Sequence, residues 1–331
     1  MLEQLDSTFP ILTCLLFFPL AGAAVLWLFD DEDMVRTSAL TIALVELALA
    51  VFVLMRFVPD SPAMASANDL LSVFITLEFS TFGFYVLVSY LREDVASNEA
   101  GLKFFILGVF AAGLLAYGIS LVYGETGQLV FSQMKSLQPT PGLIIGFLLI
   151  FGALGFKIGA VPFHSWIPDT YHGSPTPVTA FLSIAPKGAA FAILLRMFFV
   201  ALGSFKPTWV LLMVGASILS MTYGNIVAIA QKNMKRLLAY SGIAQIGNVL
   251  IGMAAGTKMG NDAILFYLLT YLFANLGAFA VIIAVGQAIG SEEIDDYSGL
   301  GRRSPFLAFS MSRAPVASFK NHSLLNCWPA R

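Results

Sequence analysis

Charge is what this 331-residue chain has least of. Asp, Glu, Lys and Arg together make up 11% of it, where soluble domains carry about 25%. Set beside 58% apolar residues, that scarcity excludes an ordinary water-soluble domain. The formal net charge is −2, so the basic excess that nucleic-acid binding requires is missing as well. Cysteine is nearly absent: Cys14 and Cys327 lie at opposite ends in unrelated settings, with no CxxC, no metal-ligand spacing and no disulfide framework. Two cysteines and three histidines cannot ligate a series of iron–sulfur clusters. No glycine-rich strand-to-helix motif for a nucleotide is present. Any redox chemistry linked to this protein therefore belongs on another chain, and no cofactor is expected on this one.

Long apolar runs fill the space that charge leaves. A membrane span needs about 20 mostly apolar residues, and nine such runs occur: roughly 10–29, 38–58, 68–91, 102–123, 142–163, 175–201, 208–231, 237–256 and 262–289. The first is no cleaved signal peptide, since Glu3 and Asp6 precede it and Asp30, Asp31, Glu32 and Asp33 follow. The expected fold is all-α, a polytopic transmembrane bundle of about nine spans in the lipid bilayer. Counting Lys and Arg before residue 311 puts seven on the side of the loops after the odd-numbered runs and five on the other. Arg313, Lys320 and Arg331 add to the first side. The positive-inside tendency then places the N-terminus outside and the C-terminus in the cytoplasm. The composition breaks between Pro59 and Pro62, and again after Met311, where a polar, aperiodic tail begins.

The informative residues are the few ionisable ones inside those runs. An ionised side chain at bilayer depth costs at least ~2.5 kcal/mol, so such residues usually face a wet or paired interior. Glu78 lies near the middle of the third run, Lys157 late in the fifth and Lys187 in the centre of the sixth. Glu78 reads either as a protonated acid bonded to a neighbouring helix or as a member of a charge path. Competition between pairing and burial lets a small change in solvation move a proton. Lys157 stands among Gly152, Gly155 and Gly159, which allow close helix approach and a local helix break. It reads either as a path residue on a discontinuous helix or as a lysine snorkelling to the interface. Lys187 has about a dozen residues on either side, and the preceding Pro186 removes the backbone bond to the Leu182 carbonyl. It is the strongest single signal of function.

Lys103, close to Glu99, fits an interfacial anchor as well as a path residue. The hairpin from His164 to His172 carries Asp169 and Tyr171 and suits a proton relay, though its prolines also fit a rigid turn. A zinc site there is disfavoured, with only Asp169 between histidines eight residues apart. Glu46 has no lysine in its own or adjoining runs and reads as structural. Asn233, Lys235 and Arg236 read as a cap facing the cytoplasm.

Several segments together resemble the antiporter-like N subunit of proton-pumping NADH:quinone oxidoreductase, respiratory complex I. They are Ala67-Asn68-Asp69-Leu70 leading to Leu77-Glu78, Leu154-Gly155-Phe156-Lys157, and Val161-Pro162-Phe163-His164-Ser165-Trp166-Ile167-Pro168-Asp169. Further on come Pro175-Thr176-Pro177-Val178, Ala185-Pro186-Lys187, Asn233 through Ser241, and Asn275-Leu276-Gly277-Ala278-Phe279. The resemblance runs from about 64 to 311 and implies that Glu78 pairs with Lys157 on a broken helix. It implies that Lys187 is the next lysine of a hydrophilic axis, reached through water and His164, and that Lys103 is a further lysine of the set. It also implies partners: M- and K-type membrane subunits, with FMN, iron–sulfur clusters and quinone on other subunits, in a bacterial plasma (inner) membrane. Residues 1–63 look more like the start of the sister M subunit, and residues 312–331 depart from the family. These departures from the family lead to the expectation of a fusion or deletion at about 60–64 and a frameshift or assembly error near 311. The competing readings are a subunit of a multisubunit cation/proton antiporter or membrane-bound hydrogenase, and a truncated, inert membrane protein.

Overall fold

Helix begins at Leu70 because Asp69 caps it: the Ser72 N–H and hydroxyl donate to the two Asp69 carboxylate oxygens at 2.8 and 2.7 Å. Such a cap satisfies donors that a helix start leaves open. From there the computed structural model describes residues 67–135 and 137–312. The expected runs at 10–29 and 38–58, Glu46, the 1–63 segment and the tail after Ser312 lie outside the described residues.

The helices are α1 (Leu70–Val88), α2 (Val95–Thr126), α3 (Pro141–Ile158), α4 (Trp166–Gly173), α5 (Thr176–Leu182), α6 (Ala185–Arg196), α7 (Lys206–Ile229), α8 (Met234–Ala255), α9 (Lys258–Ile289), α10 (Leu300–Arg303) and α11 (Pro305–Ser312). Among the described residues the only β pairings are two isolated bridges, Asp69 with Val130 and Asn233 with Glu293. Among the described residues, seven stretches are long and apolar enough to cross a membrane: Leu70–Val88, Val95–Thr126, Pro141–Ile158, Thr176–Ala201, Gly203–Ile229, Met234–Ala255 and Lys258–Ile289. They correspond to the last seven expected runs, and the protein is an all-α, multi-pass membrane bundle.

Helix α8 is the most enclosed of these spans, with Ala239, Ile243, Ile246 and Leu250 fully buried. It packs along α7, as α2 packs along α3. Large apolar side chains such as Phe110, Leu211 and Phe266 point outward from the bundle. On a soluble protein such patches would be unusual; here they suit hydrocarbon.

Three interruptions position the polar residues. Helix α3 stops five residues short of the expected end at 163, because Gly159 takes the left-handed conformation (φ 81°). A Cβ at Gly159 would also lie 2.0 Å from Ile167 Cδ1, so glycine alone fits. Gly152 and Gly155 receive the Phe163 ring of the returning loop, and their small size admits that ring rather than a neighbouring helix. The expected hairpin is mostly a buried helix, α4. Its Trp166 indole donates to the Phe156 carbonyl at 2.7 Å, satisfying one of the acceptors left open where α3 ends. The third interruption, at Ser183 and Ile184, divides the sixth run into α5 and α6 just before Pro186.

Candidate functional site

Two lysines sit beside two of these interruptions. Lys157 is the penultimate residue of α3, and its ammonium donates to the hydroxyl of Thr81 on α1. Thr81, itself buried, donates a hydrogen bond to the Leu77 carbonyl at 2.5 Å. Glu78 lies one helical turn away on the same helix. Glu78 and Lys157 attract each other electrostatically, but among the described residues no ion pair closer than 4.0 Å joins them. Both side chains are partly buried.

A cavity of about 30 Å³ adjoins this pair, bounded by Lys157, Thr81 and Ser80 on one side and by Pro186 and Ala189 on the other. Phe84, Phe104 and Trp166 supply much of its apolar wall. The cavity has the size of a water molecule, but its wall is apolar: the Ser80 and Thr81 hydroxyls both donate to the Leu77 carbonyl, at 2.9 and 2.5 Å. The cavity lies between the Lys157 side chain and the first turn of α6 at Pro186 and Ala189; Lys187 does not line it.

Lys187 itself leaves that turn in a different direction. It is 1% exposed, and its ammonium has no hydrogen-bond partner. Instead the nitrogen lies 5.7 Å from the centroid of the Tyr171 ring and 5.9 Å from that of Tyr271. Distances below about 6 Å fall within the range of cation–π attraction.

The remaining expected residues form a third group at the ends of α2, α4 and α8. Lys103 is about half exposed and pairs with Glu99 at 2.7 Å and Asp169 at 3.0 Å. Arg236 holds the other Asp169 oxygen at 3.0 Å. Burial works against the charged Asp169, but bonds to Lys103 and Arg236 outweigh it and hold the carboxyl below the ordinary range. The His164 ring packs edge-on against Tyr223 at 4.5 Å, and its Nδ1 is buried without a partner. Burial pushes its pKa down, and the Pro162 carbonyl only partly offsets this, so the imidazole is neutral at pH 7. Among the described residues no hydrogen bond ties His164 to Lys157 or Lys187. The geometry thus brings Glu78 and Lys157 together, sets Lys187 beyond the cavity, and leaves Lys103 and His164 nearer the bundle's end.

Residues 67–318 match the family described as NADH:quinone oxidoreductase/Mrp antiporter, TM. The chain belongs to that family. A member named NADH-quinone oxidoreductase subunit N, from Trichlorobacter lovleyi, is 42% identical over 313 residues, covering 92% of this chain and 63% of that protein. The chain therefore spans less than two-thirds of that relative. A chain of respiratory complex I from Thermus thermophilus with bound aureothin superposes with a TM-score of 0.67 at 27% identity, covering 94% of this chain and 85% of that one. A chain of the Mrp complex from Dietzia gives 0.72 at 20% identity over 97% and 75%, a likeness of fold alone. Within this family, the curated relatives it matches at 42–44% identity include several named NADH-quinone oxidoreductase subunit N.

Two features of this family member escaped sequence reasoning. Lys235 does not face the cytoplasm: it is buried, bonded to the Ser174 carbonyl at 3.2 Å and paired with Glu292 at 3.0 Å. Thr176 donates to the same Glu292 oxygen at 3.0 Å. Asn233 does cap α8, accepting from the Lys235 and Arg236 N–H groups. The other omission is Tyr271, a polar aromatic at mid-span, whose position in an apolar run was the available signal.

Proposed function

We propose that this chain is the proton-translocating membrane subunit of an NADH:quinone oxidoreductase, coupling quinone reduction elsewhere in the assembly to proton movement across the bilayer. One observation carries the reading: a fully buried, unbonded ammonium at Lys187 stands on a helix beside the Glu78–Lys157 pair, and a cavity of about 30 Å³ separates Lys157 from the first turn of that helix. Burying a charge without partners is costly, and such residues at bilayer depth usually mark ion pathways.

In this reading Thr81 holds the Lys157 ammonium in place while Glu78 biases its charge. Water in the cavity carries a proton towards the α6 turn, where Lys187 receives it. Moving one charge against 100 mV costs about 2.3 kcal/mol, which quinone chemistry on partner subunits supplies. Lys103, with Asp169 and Arg236, serves as a charged collar at the cytoplasmic end, and His164 contributes a neutral relay group beside Tyr223. The partners are M- and K-type membrane subunits; FMN, iron–sulfur clusters and the quinone site belong to other chains, with no redox centre on this one. The location is a bacterial plasma membrane.

The test is proton uptake by inverted vesicles bearing the assembled complex, with Lys187→Ala and Glu78→Ala made separately. Pumping should fall to background in both while assembly persists; native pumping in either variant rejects the proposal. Purification separates the antiporter alternative, which would bring no flavin or iron–sulfur subunits.

A further inference from the structure

The surroundings of Lys187 differ from those of the other cations described above. Lys103, Lys157, Lys235 and Arg236 each meet an oxygen atom, whereas the Lys187 ammonium meets two aromatic faces. We propose that Tyr171 and Tyr271 are positioning residues that clamp the Lys187 ammonium between their rings and so fix where it gives and takes its proton. This rests on the reading of Lys187 as a proton carrier.

Each ring is held from outside the clamp. Tyr171 packs edge-on against Phe279 at 6.4 Å and Trp166 at 6.5 Å, so α4 presents it in a fixed orientation. Tyr271 is steadied on α9: the Asn275 amide donates to its hydroxyl at 3.4 Å and to Ser183 at 2.6 Å. Ser183 lies in the break between α5 and α6, so the same amide links one ring to the turn preceding Lys187. The floor of the clamp is Gly242 on α8. A Cβ there would stand 3.1 Å from the Tyr271 hydroxyl and 3.3 Å from the Lys187 nitrogen, which places both groups over one small residue.

The chemistry matches a residue that must alternate between two protonation states. An ion pair or a strong hydrogen bond would lock the ammonium in its charged form. A ring face attracts the cation through its quadrupole, yet leaves the neutral amine with no broken bond when the proton departs. The Tyr171 hydroxyl is buried without a partner, and the Tyr271 hydroxyl accepts from Asn275. Neither supplies a carboxylate or carbonyl oxygen to trap the charge.

The experiment uses the assembled complex in inverted vesicles, with Lys187→Ala beside the tyrosine variants. Tyr171→Phe keeps the ring and loses only an unpartnered hydroxyl, so it should retain most of the pumping; Tyr271→Phe keeps the ring but gives up the Asn275 bond, and should retain clearly more pumping than Tyr271→Leu. Tyr171→Leu and Tyr271→Leu remove it and should each slow pumping about tenfold, in line with a desolvated cation–π contact. The leucine variants should also displace the pH profile of pumping, which the phenylalanine variants leave unchanged. Because leucine leaves space and could impair assembly, mono-, di- and trifluorophenylalanine at position 271 give an isosteric series that weakens the ring face stepwise. Pumping should decline in that order. Native rates in the leucine variants, equal losses in Phe and Leu, an unmoved pH profile, or a flat fluorinated series would each overturn the clamp. Native pumping in Lys187→Ala would instead overturn the function on which it rests.

Discussion

Lys157 and Lys187 lie on neighbouring helices and beside similar helix breaks, yet they have opposite environments. Lys157 has a hydroxyl to bond, an acid within electrostatic reach and a small cavity at its tip. Lys187 has two aromatic rings and no hydrogen-bond acceptor. The difference teaches that depth in the membrane does not by itself decide how a cation is accommodated. Lys157 is held by a hydroxyl with an acid nearby, whereas Lys187 meets ring faces.

Replacing each lysine by arginine should break that comparison most visibly. A guanidinium carries five donors in a rigid fork, and Lys187→Arg would strand all of them among tyrosine rings. We expect that variant to lose about 3 kcal/mol, as buried unpaired charges do, and pumping in vesicles to vanish. Lys157→Arg has Thr81, Glu78 and the cavity to receive its donors, so it should cost only about 1 kcal/mol and retain measurable pumping. Equal losses in the two would abolish the distinction.

Thr81→Val sharpens it from the other side. Removing the hydroxyl deprives Lys157 of its bonded oxygen and should cost about 1–3 kcal/mol, with Thr81→Ser restoring function in the same vesicle assay. A smaller effect is expected from Gly242→Ala. Alanine favours the helix by up to about 1 kcal/mol, and the crowding of Tyr271 and Lys187 costs about 1 kcal/mol or more. Thermal unfolding of the complex should therefore hardly change while pumping drops.

Asp169→Asn should have the least effect. Asp169 and Lys103 are both more than a third exposed, so the bridges are worth less than about 1 kcal/mol. The sign of its pH dependence is fixed, because the folded pKa lies below the ordinary value of about 3.9. Its contribution is present above that value and disappears as pH falls through the depressed one. The asparagine variant should lack this acid-side step in a stability–pH profile.

The spans were legible because twenty apolar residues in a row admit few alternatives, and the bundle follows all seven described runs. Their ends were less so. The run at 142–163 hid a stop at Gly159, since hydropathy is blind to a left-handed glycine, and the hairpin at 164–172 hid helix α4, whose burial comes from partners far along the chain. Glu78, Lys157 and Lys187 stood out as ionisable residues in apolar surroundings. Lys235 did not, because what buries it is Glu292, 57 positions later in the numbering. The rings that hold Lys187 come from residues 171 and 271, and no local pattern could pair them. His164 was expected on the line between the lysines, but its ring is turned to Tyr223 on α7.

The indole of Trp166 bonds to the backbone just before Lys157, stacks on Phe104 at 4.7 Å and forms part of the cavity wall. Nature has thereby installed a fluorophore at the point where hydration is expected to come and go. With the other tryptophans replaced, its emission wavelength becomes an optical gauge of wetting beside the lysine during turnover, readable without attaching any dye.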